Sequence, residues 1–114
     1  DEMMLICYKC GKQLNDGANS SELADMIVEE TGMNRNSAIM YIYAVSSLLS
    51  GTVFKRAISG KALRKYYDLI LNEYGSAGLE NAIKATRLHI EYRKDCGLTA
   101  DAIEDLCNEY QSRL

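Results

Sequence analysis

The chain has no proline and no tryptophan, and it has only one histidine and one phenylalanine among 114 residues. Each absence narrows the reading. Without proline, no position forbids a continuous run of backbone hydrogen bonds. With Leu, Ala, Glu and Lys frequent, the chain leans helical. The lone His89 has no second histidine, and no Ser or Cys nucleophile stands at a recognisable spacing from it. A glycine-rich phosphate loop is also missing, so no catalytic constellation is legible and no enzyme activity is expected. The longest apolar stretch, Ala38 to Leu49, is shorter than the roughly 20 residues that span a bilayer. No basic segment followed by an apolar one opens the chain, so no secretory signal is expected. A reducing, cytoplasmic setting is then the default, and structural disulfides are not expected.

What is present is ordinary for a soluble globular domain: 47% hydrophobic and 25% charged residues, with 8 tyrosines. That balance excludes a disordered tail, a collagenous fibre and a coiled coil. The length is that of one domain.

Residues 1–18 differ from the rest. They hold Cys7, Cys10, Gly11 and the turn-forming Asn15–Asp16–Gly17, and they read as a short cysteine-containing appendage, a knuckle or hairpin. Residues 19–114 read as a helical bundle. Asn19 with Glu22 forms a capping box, and Gly32 ends that helix. Asn34 or Asn36 starts the next, which stops at Gly51. Ser59 caps a third that ends at Gly75, Ser76 a fourth that ends at Gly97, and Thr99 a last one. Ile39, Met40, Ile42, Val45, Leu48 and Leu49 cannot share one stripe, so the helix at about 37–50 is expected at the centre. The expected fold class is therefore all-α: a compact bundle of about five helices around that apolar one. Helical bundles of this kind also self-associate readily, and a homodimer is compatible with the apolar content.

The net charge of −3 argues against a nucleic-acid partner only until it is divided. Residues 1–32 carry two lysines against seven acids, residues 33–94 ten basic groups against four acids, and residues 95–114 one arginine against five acids. The net charges are −5, +6 and −4. Within the basic middle, Lys55, Arg56, Lys61, Arg64 and Lys65 fall in eleven residues without an acid. Lys61, Arg64 and Lys65 share a helix face, and the free N–H groups at Ser59 and Gly60 also attract anions. This is a candidate surface for DNA or RNA backbone phosphates. Arg35 would add a contact to it. Residues 22–43 also run in the order of a helix-turn-helix, with Arg35 at the start of the second helix, although that helix is too apolar for a recognition role. The competing reading is an ordinary solvated face paired with the acidic ends. Those ends (Glu29, Glu30, Asp101, Glu104 and Asp105) would alternatively dock a protein partner, as in an adaptor or inhibitor.

Cys7 and Cys10, two residues apart and followed by Gly11, could grip one Zn²⁺ from a tight turn. The string from Cys7 to Ala18 resembles the first knuckle of short bacterial zinc ribbons. No second close cysteine pair follows, so a tetrahedral site would have to recruit Cys96 and Cys107, or His89. Other readings remain open: a redox pair, a knuckle without metal, and Cys107 as a small buried core residue. His89, between Leu88 and Ile90, reads as a packed residue bonded to a neighbouring backbone group or Tyr.

Residues 36–92 resemble a helical region of bacterial and phage proteins that carry an HNH nuclease domain. The resemblance rests on Ser37–Ala38, Tyr41–Ile42, Leu49–Ser50–Gly51, Phe54–Lys55–Arg56, Ile58–Ser59, Tyr66–Tyr67, Tyr74–Gly75, Gly78–Leu79, Ala82 and His89–Ile90–Glu91–Tyr92. It lacks a His-Asn-His set, so it implies an accessory, DNA-engaging module and not a nuclease. It would assign Phe54, Lys55 and Arg56 to the segment of interest.

Overall fold

Three polar side chains set where helices begin. The Asn19 carboxamide oxygen accepts from the Glu22 N–H, Asn34 from the N–H groups of Asn36 and Ser37, and the Ser59 hydroxyl oxygen from the Ala62 N–H. Each satisfies donors that the first helical turn leaves without an internal partner. Gly32 and Gly51 close their helices in the left-handed conformation, at φ 73° and 72°. The structure, a computed structural model, describes residues 2–114. Five helices result: α1 (Glu2–Asn15), α2 (Ser20–Thr31), α3 (Arg35–Ser50), α4 (Gly60–Asp95) and α5 (Asp101–Gln111). Among the described residues there is no strand.

The all-α bundle agrees with the sequence reading. The apolar helix α3 is touched by α1, α2 and α4, while α5 packs on α4. Ala38, Ile42, Val45 and Leu48 of α3 are fully buried, against Leu63, Tyr66, Tyr67 and Ile70 of α4 in the same core. The radius of gyration, 13.4 Å, is that of a chain of this length folded as one body.

Two elements differ from expectation. The expected N-terminal knuckle, in its described part, is a helix: Glu2–Asn15 form α1, whose Cys7, Tyr8 and Cys10 belong to the core. The spacing of two residues that suits a metal turn also places Cys7 and Cys10 on one helix face, with Met3, Met4 and Leu14 packed beside the core. Gly11 makes that packing close. A Cβ at position 11 would stand 2.4 Å from Val45 Cβ, so only glycine lets α1 lie this near α3. The expected boundary at Gly75 is present: φ 71° and ψ −160° there are not helical, so α4 consists of two helical arms, residues 60–74 and 76–95, that meet at a kink. The second difference is in the capping of α5. At the last helix, Ala100 occupies the position before the first turn without a side-chain cap, so Thr99 does not serve there.

Candidate functional site

The loop between α3 and α4, residues 52–59, is held by what it buries. Phe54 and Ile58 are inside, and Lys55 and Arg56 stand exposed between them. The Phe54 ring stacks on His89, with centroids 4.3 Å apart and planes 13° apart. His89 Nδ1 lies 2.6 Å from the Phe54 carbonyl oxygen. A carbonyl only accepts, so the imidazole proton is on Nδ1. That tautomer leaves Nε2 as a buried lone pair without a hydrogen-bond partner. Burial pushes the His89 pKa down, and the charge of Arg93 adds to the effect. His89 is therefore a packed, neutral anchor for the loop, bonded to backbone. On the outer side, the Lys55 ammonium sits 5.5 Å from the centre of the Tyr92 ring.

The six basic residues singled out from the sequence divide into two groups. Arg35 turns back onto α2: its Nε donates to Asp25 at 2.9 Å and its terminal nitrogen to the Ser21 hydroxyl at 2.6 Å. Arg64 forks onto the Glu109 carboxylate at 2.5 and 2.9 Å and lies 5.6 Å from the centre of the Tyr110 ring. The Glu109 bonds raise the Arg64 pKa, and those of Arg64 lower that of Glu109. In this structure both arginines are thus engaged by carboxylates of the fold, in pairs that remain open to solvent. Lys55, Arg56, Lys61 and Lys65 have no carboxylate partner among the described residues. Lys61 and Lys65 are one turn apart on the first arm of α4, directly after the loop that carries the other two.

A groove of about 240 Å³ separates α3 from this loop. Met40, Tyr43 and Val53 line it, Lys55 and Arg56 stand at it, and no carboxylate lines it. Tyr43 is 50% exposed and Val53 41%, large apolar side chains left open to water. The sequence does not announce this groove, because it forms only where α3 meets a loop that follows it in the chain. A second cavity, about 330 Å³, opens at the Gly75 break and is lined by Lys12, Asn15, Asp16, Tyr74, Gly78 and Asn81. Its cation, Lys12, is bonded to Glu73. The basic segment does not border it.

The four cysteines do not converge. Cys7 and Cys10 are buried on α1, Cys107 is buried on α5, and Cys96 is exposed at the end of α4. No group of three or more His, Cys, Asp or Glu side chains among the described residues is arranged to hold a metal ion. The donor set thus does not fit the tetrahedral zinc site that the spacing invited, because the first pair faces a helical core and not a turn. Burial holds the Cys7 thiol near a pKa of about 11 and raises that of Cys10, which keeps both protonated as packing groups.

Cys107 belongs instead to a buried chain of hydrogen bonds. The Thr86 hydroxyl donates to the Ala82 carbonyl at 2.9 Å, and Tyr67 donates to Thr86 at 2.5 Å. The Tyr67 proton is therefore used, and the Cys107 thiol, 3.5 Å away, is the donor to Tyr67. Each of these buried polar groups is satisfied, as interior groups must be.

No helix is long and apolar enough to cross a membrane among the described residues. Comparison with family models, with curated proteins and with solved structures finds no match.

Proposed function

We propose that this chain is a small nucleic-acid-binding helical module that contacts backbone phosphates through Lys55, Arg56, Lys61 and Lys65. The observation that carries the reading is the division of the basic middle. Arg35 and Arg64 are held by carboxylates of the fold, whereas these four cations have no carboxylate partner among the described residues and follow one another through a loop into the first turns of a helix. Ser59 and Gly60 add a helix start between the two pairs. The resemblance to helical regions beside HNH nuclease domains supports an accessory role, with the chemistry supplied by another protein or domain.

The test is an anisotropy titration with labelled oligonucleotides at several salt concentrations. Replacing any of the four cations by Ala should weaken binding uniformly across sequences, and should reduce the slope of log K against log[salt] by about 0.7–0.9. Arg64→Ala should change neither. Absence of binding at low salt would remove the proposal.

A second reading has one observation in its favour. Glu29, Glu30, Asp101 and Asp105 are exposed and take part in no ion pair among the described residues, whereas Glu104 binds Lys94 at 2.8 Å. These acids would serve a protein adaptor that docks a basic partner. Neutralising them would weaken partner capture and leave oligonucleotide binding alone.

A further inference from the structure

We infer that the strand recognised is single, and that the groove between α3 and the 52–59 loop seats an unpaired base against Tyr43. The inference rests on the phosphate-contacting reading above and specifies its substrate. A duplex offers a protein surface mainly phosphates and groove edges, whereas a single strand also offers the flat faces of its bases. The four cations without a carboxylate partner among the described residues answer the phosphates of either. The groove answers only the bases.

Three features of the groove point that way. Its lining has two cations, Lys55 and Arg56, and no acid, so the charge complements a polyanion. Its wall is largely apolar, and Tyr43 on it is 50% exposed, a large aromatic side chain where a soluble surface would ordinarily carry a polar group. The Tyr43 hydroxyl donates to the Ser20 hydroxyl at 3.2 Å, a bond on the exposed surface that leaves the role of the ring to its faces. A second exposed ring, Tyr92, is tied to the same loop by the Lys55 ammonium over its face. Aromatic faces alternating with cations are what strand binders without sequence preference use: stacking tolerates any base, and the cations follow the backbone.

The experiment compares a labelled oligothymidine, the hairpin duplex of equal phosphate count and an acidic peptide, at low salt. The single strand should bind about tenfold or more tightly than the duplex. Tyr43→Ala should weaken single-strand binding by about 5- to 150-fold, the range expected for loss of one stacked base, and leave duplex binding unchanged. Tyr43→Phe keeps the ring face and should keep the affinity, which guards against a folding defect in the alanine variant. Lys55→Ala should weaken both complexes. Equal affinity for strand and duplex, with no effect of Tyr43→Ala, overturns the stacking inference and leaves the phosphate reading standing. Binding of neither oligonucleotide overturns both. Capture of the acidic peptide alone, weakened by Tyr43→Ala, overturns both and assigns the groove to a protein partner.

Discussion

Arg64 and Lys65 are neighbours in the chain and do opposite things. Arg64 points at α5, where Glu109 receives both arms of its guanidinium and Tyr110 supports it from below. Lys65, one residue on, has no carboxylate partner among the described residues. The difference lies 45 residues away, in the side chains that α5 brings to one side of α4. A basic run is therefore not a unit of function. The fold withdraws some of its members into internal pairs and leaves the others for a ligand.

The paired side of α4 depends most on Tyr110. Its ring meets Tyr67 edge-on at 5.0 Å, its hydroxyl donates to Asp68 at 2.5 Å, and Arg113 stacks on it at 4.3 Å. Tyr110→Ala should cost roughly 3–5 kcal/mol, read as a shift in the denaturant midpoint, because a fully buried ring leaves a cavity. Stability within about 1 kcal/mol of the parent would show that α5 is not what organises the paired side.

The unpaired side has its own support in His89, and pH reaches it. The folded pKa is depressed by burial, so the unfolded chain takes up a proton first, near the usual value of 6.5. Stability is therefore full above that pH and falls as pH drops below it, by at most about 1.4 kcal/mol per unit. His89→Gln should flatten that limb in denaturation measured between pH 7 and 5. A limb of unchanged steepness in the variant would assign it to other groups.

Glu109→Gln should barely alter stability, since the pair is exposed. It should release Arg64 to solvent, tightening oligonucleotide binding a few-fold and steepening its salt dependence. No change in either would mean that Arg64 faces away from the ligand even when free.

Much of the bundle was legible because its signals are local. Asn19, Asn34, Ser59, Gly32 and Gly51 act within a turn of themselves, and all five mark the boundaries read from the sequence. The apolar α3 needed only its own composition. The start of the chain misled because one spacing serves two geometries: Cys7, Cys10 and Gly11 fit a metal turn and equally a helix face against Val45. What separates them is the partner helix, which is not local. Of the site, the exposed loop with Lys55 and Arg56 was visible as an acid-free run. The withdrawal of Arg35 by Asp25 and of Arg64 by Glu109 was not, since nothing near either arginine announces its partner. Nor was the groove, which exists only where α3 and the loop run side by side.

The scattering of the cysteines gives the molecule an internal clock for its own opening. Cys96 is open to reagent in the folded state, while Cys7 and Cys10 are covered by the meeting of α1 with the core and Cys107 by the meeting of α4 with α5. A thiol reagent therefore finds one site at once and the others only when a particular seam parts. The order in which the remaining thiols react reports which seam parts first, without a label having to be introduced anywhere in the chain.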